Sequence, residues 1–288
     1  MKYFSRMIFI SLFLCQVSFA HEKVVIIPLV GGSDASASAK PNVIYVDQKT
    51  RNTPDVFGFG NVQAAINAAA NKASSSKPYE VRIAPGYYQL SATIQLKPYV
   101  NVVGSGKNAT ILTANISGAA ISSSSAIISG SSHSSLGNLA IDNHATTGTY
   151  TIGIYNLGTV INVHDVDINV EGIHEAIGIF DDNSSSKYEN VVTEATGLVN
   201  AFGIKTVRSR IILNHVIADG SSIRRGYGMS NRTAPRVIVK NSVLIGSLYA
   251  LSDTANSVIE NTQLIGAVRA TSAQCSFIYD EDLDAVSC

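Results

Sequence analysis

A short pattern, one glycine between two apolar residues, recurs at a constant interval along the second half of the chain. The glycines of its four copies are equally spaced and are Gly153, Gly178, Gly203 and Gly228. A fifth copy, residues 249–251, has alanine in the glycine position, and a second apolar triplet recurs at nearly the same interval from residues 139–141 to 243–245. A fixed period in this range, without helical periodicity inside the repeat, is typical of a solenoid.

The length of the repeat decides which kind of solenoid can form. Each copy holds two or three short strands but no helix of the length that a βαβ unit needs, which excludes an α/β solenoid. Equivalent strands run in the same direction, so they must stack in parallel about 4.8 Å apart. We therefore predict an all-β, single-stranded parallel β-helix of about eight coils, right-handed by the crossover rule. Its predicted inward ladder consists of Ile154, Ile179, Ile204, Met229 and Leu251.

The first 20 residues have the features of a secretory signal peptide. Lys2 and Arg6 precede an apolar run, and Ser18 and Ala20 are small residues where a signal peptidase would cleave. A permanent helical anchor, the alternative, needs about 20 apolar residues, and this run is shorter. We expect a mature protein with no membrane span, either secreted or located in the periplasm or at the cell surface.

The rest of the chain divides into three predicted segments. Residues 21–55 contain one strand and a flexible linker rich in Gly, Ser and Ala, and residues 56–274 form the β-helix with an N-terminal capping helix. Residues 275–288 form a C-terminal cap, in which Cys275 and Cys288 are the only cysteines left after signal cleavage. We predict that they form one disulfide, worth roughly 3 kcal/mol, and that Phe277 and Tyr279 cover the open end of the core.

Composition excludes several classes of protein. The chain is 45% hydrophobic and only 15% charged, which is incompatible with a disordered protein. Its formal net charge is zero, so we expect no binding of nucleic acid through a basic surface. We predict a monomer.

Residues 56–114 resemble the N-terminal part of pectin lyase-like right-handed parallel β-helix proteins. The features that carry the resemblance are Gln63-Ala64-Ala65-Ile66 in the helix, then Pro85-Gly86-Tyr87-Tyr88, then Val102-Val103-Gly104-Ser105-Gly106. This part is most similar to pectin methylesterases and to exported bacterial β-helix repeat proteins without an assigned activity. The resemblance implies a right-handed solenoid whose helix covers the N-terminal end.

Two sets of catalytic residues that the resemblance would imply are missing. Pectin methylesterases carry glutamines and a tryptophan on the central coils, whereas this chain has no Gln between Gln95 and Gln263 and no Trp. Polygalacturonases carry several carboxylates and a Gly-His-Gly segment, whereas here Asp181-Asp182 stands alone and Gly-His-Gly is absent. We therefore expect neither of these activities.

A calcium-dependent pectate-type lyase is the enzyme class that stays open. Its candidate catalytic residues are Asp181, Asp182, Lys205 and Arg208, which the repeat places about one rung apart and which could form a calcium–carboxylate–lysine site. The alternative is structural. In that interpretation, which we favour, Asn156, Asp181, Asn231 and Asp253 form a stacked ladder at a repeated turn.

The remaining polar residues suggest binding rather than catalysis. Arg224, Arg225, Arg232 and Arg236 form a local basic patch that could contact an acidic polysaccharide. The six histidines show no metal-ligand spacing, so we expect no metal or other cofactor, apart from calcium in a lyase. We predict a non-catalytic, exported β-helix repeat protein that presents an elongated surface to a glycan or to a cell-envelope component. The alternative is a calcium-dependent polysaccharide lyase or another pectin-active carbohydrate enzyme.

Overall fold

The computed structural model describes residues 42–47, 56–58, 61–233, 236–253, 257–271, 273–280, 282 and 285–286. They lie within one compact unit, Lys40–Cys288. The predicted signal peptide and most of the predicted linker lie outside the described residues. Cys288 does too, so the disulfide stays a prediction.

The described residues form 21 strands, one α-helix and one short 3-10 helix. The helices are α1 (Val62–Ala70) and the 3-10 turn Ser123–Ser125. The strands are β1 (Val43–Val46), β2 (Val56–Phe57), β3 (Tyr79–Ile83), β4 (Gly86–Gln89), β5 (Ile94–Gln95), β6 (Val100–Val103), β7 (Thr110–Ala114), β8 (Ala126–Ser129), β9 (Ser134–Ala145), β10 (Tyr150–Leu157), β11 (Val160–Gly172), β12 (Glu175–Asp182), β13 (Ser185–Gly197), β14 (Asn200–Val207), β15 (Arg210–Ser222), β16 (Arg225–Arg232), β17 (Arg236–Lys240), β18 (Val243–Asp253), β19 (Ser257–Ala270), β20 (Gln274–Tyr279) and β21 (Ala285–Val286).

These strands wind into coils whose three stretches build three parallel sheets. Sheet 1 contains β10, β12, β14, β16 and the last residues of β18 and β19. Sheet 2 contains the first halves of β9, β11, β13 and β15, and sheet 3 contains their second halves with β4 and β7. The predicted parallel β-helix is confirmed.

The number of turns is about 7, one fewer than the prediction of about eight coils. The prediction divided the whole domain by the interval between the repeated glycines. The coil that joins β6 to β9 is longer than that interval, because Asn101 pairs with the distant Ser135 and the extra residues form a segment that includes the 3-10 turn.

The predicted inward ladder is present and forms the centre of the core. Ile154 pairs with Ile179, Ile179 with Ile204, Ile204 with Met229 and Met229 with Leu251, and all five side chains are fully buried. Because equivalent positions repeat every rung, each apolar side chain packs on the one before it, and the core continues along the solenoid.

Sheets 2 and 3 meet at a row of residues in the left-handed backbone conformation. The members of the row have φ between 46° and 54° and are Asn138, Asp165, Asn190, His215, Asn241 and Asn261. Asparagine and aspartate tolerate this conformation better than other non-glycine residues, because their short side chains form local hydrogen bonds. Asn241 donates to Asn214 over 2.9 Å and accepts from Asn261 over 2.8 Å, so amides stack along this corner.

Helix α1 lies where the sequence predicts it and buries the predicted face. Val62, Ala65, Ile66 and Ala69 are fully buried against the core. Its role as a cap on the N-terminal end stays a prediction, since residues before Asn42 lie outside the described residues. None of the helices that the structure describes is long and apolar enough to cross a membrane.

The C-terminal segment continues the parallel stack. β20 pairs in parallel with β19, and Ile278 is buried on its inner side. Phe277, which is predicted to cover the core together with Tyr279, is instead 75% exposed, and Tyr279 is only partly buried. The reason is local, because a positive φ of 54° at Phe277 turns its side chain away while the next residue fills the core.

Candidate functional site

The outer face of sheet 1 carries an apolar cluster that is separate from the core. It is formed by Ala126, Ile152, Ile177, Phe180 and Phe202. Ile121, from the segment before the 3-10 turn, packs against it. A sheet face that is both outward and apolar needs a cover or a ligand. Ile121 supplies part of that cover.

From this cluster, three aromatic rings continue along the outer face as a stacked row, in which Phe202 is buried and Tyr227 and Tyr249 are partly exposed. Phe202, Tyr227 and Tyr249 occupy the same position on successive coils. The Phe202 and Tyr227 rings are stacked 4.7 Å apart with a 7° angle between their planes, and Tyr227 and Tyr249 are 5.8 Å apart at 24°. Parallel strands in register are about 4.8 Å apart, which is the spacing at which rings stack.

Cationic side chains surround this row and form a cleft of about 180 Å³. Its lining residues are Glu175, Asn200, Phe202, Lys205, Arg225, Tyr227, Ser230, Arg232, Tyr249, Ser252 and Arg269. Four of these side chains are cationic and one is a carboxylate. The cleft therefore has a net positive charge and will attract anions.

Lys205 is fixed at the base of the cleft by a carboxylate and a ring. Its Nζ donates to Oε1 of Glu175 over 2.6 Å and lies 4.4 Å from the centre of the Phe202 ring. Asn200 donates to the other Glu175 oxygen over 3.0 Å. Both members of the ion pair are largely buried, so the ammonium group has a defined position rather than the mobility of a surface lysine.

Arg225, Arg232 and Arg269 reach the cleft from three different positions. Arg225 lies at the start of β16, where it pairs with Asn200 of the preceding coil, and Arg232 lies at the end of β16. Arg269 pairs with Ser252 and lies two coils further along. Among the described residues, no ion pair joins any of these three guanidinium groups to a carboxylate. Their hydrogen-bond donors can therefore be directed to a ligand.

Asp181, the first of the predicted catalytic residues, lies inside the solenoid. It is 0% exposed, and its carboxylate accepts hydrogen bonds from the Tyr188 hydroxyl (2.6 Å), the Ser186 hydroxyl (2.7 Å) and Asn156 Nδ2 (3.1 Å). Burial raises the pKa of this carboxyl. Asp181 therefore faces the core, away from the cleft.

Asp181 belongs to a buried polar row, as the structural interpretation expects. The row follows the register Asn156, Asp181, Thr206, Asn231 and Asp253, and all five residues are fully buried. Thr206 donates to Asn231 over 2.8 Å, and Asn231 donates to Asp253 over 2.9 Å. The row lies at the ends of the sheet 1 strands, on their inner side, rather than at a turn.

The other predicted residues do not join Asp181. Arg208 binds both carboxylate oxygens of Asp182 over 2.7 Å, at the outer edge of sheet 1. Of the four predicted catalytic residues, only Lys205 lines the cleft. No group of three or more His, Cys, Asp or Glu side chains in the described part of the chain is placed to hold a metal ion.

The predicted basic patch contributes only partly to the cleft. Arg225 and Arg232 line it, whereas Arg224 and Arg236 do not. The aromatic row is not among the sequence-based predictions, although its residues directly precede the repeated glycine position at residues 202, 227 and 249, and that spacing is a usable signal. Glu175 and Arg269 are not among them either, and no comparable signal marks these two residues.

Comparison with known proteins identifies the family of this chain. A family model described as "Rhamnogalacturonase A/epimerase, pectate lyase-like" matches residues 53–251, more than half of the chain. The chain belongs to this family. No curated protein sequence matches it.

Solved structures of other proteins share its fold at low sequence identity. Pectin methylesterase PemA from Erwinia chrysanthemi is 13% identical, with a TM-score of 0.51, and the match covers 79% of this chain and 80% of that one. The Dettilon tailspike protein is 11% identical, with a TM-score of 0.54, over 82% of this chain and 47% of the tailspike chain. At these identities the likeness shows the fold alone, and it confirms the right-handed parallel β-helix.

Proposed function

We propose that the cleft on sheet 1 binds an acidic polysaccharide, and that the protein is an exported, non-catalytic glycan-binding member of its family. The observation that carries this proposal is the row of three stacked rings flanked by four cations and one carboxylate. Because Tyr227 is stacked between Phe202 and Tyr249, the rings present mainly their edges to the cleft, and these edges give apolar contact to a sugar ring. Guanidinium groups bind carboxylates through paired hydrogen bonds. A polymer of uronic acids offers both surfaces.

The arrangement favours a polymer over a single sugar. Lys205 pairs with Ser230, Ser230 with Ser252 and Ser252 with Arg269, so these two cations lie three rungs apart. At the spacing of parallel strands this corresponds to roughly 14 Å along the solenoid axis. A ligand that contacts both must extend across successive coils, as a linear polysaccharide does.

Binding explains the positions of the charged residues better than catalysis does. A lyase of the pectate type would use Asp181 or Asp182 with calcium, but Asp181 is enclosed by three donors and Asp182 is held by Arg208. The names of the family and of pectin methylesterase PemA refer to pectic polysaccharides, which supports the choice of a polysaccharide ligand.

Affinity electrophoresis in gels containing polygalacturonate tests the proposal. We expect the mature protein to be retarded, less so at higher salt, because the cations act through charge. Arg225→Gln and Arg232→Gln should each weaken binding about tenfold, the effect of losing one charge-assisted contact. Arg210→Gln is the matched control, since Arg210 is exposed but does not line the cleft.

Two results would contradict the proposal. Equal retardation of the Arg225 and Arg210 variants would show that only overall charge matters. Formation of unsaturated products from polygalacturonate with calcium, abolished in Lys205→Ala, would establish a lyase instead.

A further inference from the structure

A second groove lies on the outer face of sheet 3, on a different side of the coil from the cleft. It has a volume of about 440 Å³, within the range of small-ligand sites. One wall is the ring of Tyr87, a large aromatic side chain that is 69% exposed. An exposed ring beside a groove of this size is the kind of surface on which a sugar ring packs.

The groove exists because a small residue interrupts a row of larger ones. Tyr87 pairs with Ile111, Ile111 with Ala140, and Ala140 with Asp167 on successive strands of sheet 3. Ala140 forms the floor between its larger neighbours. On the far side, Nζ of Lys107 lies 2.9 Å from Oδ1 of Asp167, so an ion pair closes the groove opposite the tyrosine.

Hydrogen-bonding groups line the rim. Asn108, Asp142, Asn169 and Glu194 all border the groove. Asn169 Nδ2 donates to Asp142 over 3.3 Å, which leaves other oxygen atoms of the rim for a ligand. The groups on this rim are mainly acceptors, so they suit a ligand with several hydroxyl donors.

The charges of the groove favour an uncharged ligand. Asp167 forms an ion pair with Lys107, and Asp142 contacts the His144 imidazole, which is a cation only when protonated, so both carboxylates already have a partner. Glu194 is the remaining carboxylate and has no ion pair among the described residues. A uronate would meet this negative rim, whereas a cation would find two of the three carboxylates already paired.

We propose that the sheet 3 groove is a second glycan site, which binds a neutral pyranose residue with its ring on Tyr87 and its hydroxyls on Asp142 and Glu194. This site is independent of the cleft on sheet 1. The protein then has two glycan-binding faces, one for an acidic glycan and one for a neutral glycan.

The absence of tryptophan from the chain allows a direct test. Tyr87→Trp keeps an aromatic wall and introduces a single tryptophan whose emission reports on the groove. We would titrate this variant of the mature protein with neutral trisaccharides of glucose, galactose, xylose and N-acetylglucosamine, with trigalacturonate, and with the cationic trisaccharide of glucosamine. We expect a saturable change with at least one neutral trisaccharide and none with trigalacturonate.

Two further variants locate the response. Ala140→Leu, added to Tyr87→Trp, fills the floor from the solvent side and should abolish the change while the circular dichroism spectrum stays the same. Tyr45→Trp places the reporter on β1, outside the groove, and should give no change.

Three outcomes would overturn the proposal. They are no saturable response to any neutral trisaccharide, a response confined to a charged one, or a response that survives Ala140→Leu. Because the cleft variants Arg225→Gln and Arg232→Gln are absent from this experiment, its failure leaves the result for the cleft unaffected.

Discussion

Replacing Asp181 by asparagine removes a buried charge and keeps the shape of the side chain. The carboxylate has no exposed surface and accepts hydrogen bonds from Tyr188, Ser186 and Asn156. Desolvation raises the pKa of this carboxyl, since it outweighs the three hydrogen bonds that favour the charged form. The folded protein therefore holds this proton more tightly than the unfolded chain does.

The sign of the pH dependence follows from that difference. The stability contributed by a carboxyl with a raised pKa is fully present below its unfolded pKa of about 3.9 and is lost as the pH rises through the folded pKa. One group changes the free energy of unfolding by at most about 1.4 kcal/mol per pH unit. We expect the free energy of unfolding of Asp181→Asn to rise relative to that of the wild type above about pH 4. At neutral pH the variant should be as stable as the wild type or up to about 2 kcal/mol more stable.

Asp181→Ala is the contrasting variant. It leaves the three donors without their acceptor in a buried site, which costs about 3–5 kcal/mol at neutral pH. Urea unfolding followed by circular dichroism, at several values between about pH 4 and pH 8, measures both variants. If Asp181→Asn were as destabilised as Asp181→Ala, or if its stability relative to the wild type did not change with pH, the reasoning from desolvation would be refuted.

Three other substitutions have defined outcomes. Gly203→Ala should lower the free energy of unfolding by about 1–3 kcal/mol in urea, because a Cβ there would lie 2.7–2.9 Å from three backbone atoms. Burial lowers the pKa of His144, but its hydrogen bond to Glu171 and the nearby carboxylates outweigh burial, so the pKa is raised overall. The stabilising contribution of His144 is therefore present below about pH 6.5 and lost at higher pH. His144→Gln should remove that loss of stability. The loss is below about 1 kcal/mol because the site is partly exposed, and unfolding at two pH values measures it. Cys275→Ser with Cys288→Ser should lower the melting temperature in calorimetry, and an unchanged value would contradict the predicted disulfide.

The repeat predicts which residues share a row, because in a parallel stack the register follows directly from the period. Ile154, Ile179 and Ile204 are separated by one repeat interval each, and they pair and fill the core as predicted. The period predicts rows less well where its length changes. Arg269 pairs with Ser252 across less than one repeat interval, since the coil shortens at the C-terminal end, so its place in the cleft could not be derived from the repeat.

The face on which a row lies is a harder problem, and the predicted lyase site shows why. Lys205 falls one position short of a full repeat interval after Asp181, so it pairs with Phe180, while Asp181 pairs with Thr206. An offset of one residue moves a strand side chain to the opposite face. The two residues therefore lie on adjacent rungs but on opposite faces of the sheet, with Lys205 in the cleft and Asp181 in the core.

The repeated glycine adds a change of phase that simple alternation does not predict. Ile152 and Ile154 flank Gly153, so a regular strand would place both on one face. Instead Ile154 lies in the core and Ile152 in the outer cluster of sheet 1. The same change at the following coils turns Phe202 and Tyr227 outward while Ile204 and Met229 stay inside. The glycine pattern from which the solenoid is recognised is thus also the feature that builds the aromatic row of the cleft, and the chemistry of the site depends on this local irregularity rather than on the regular part of the repeat.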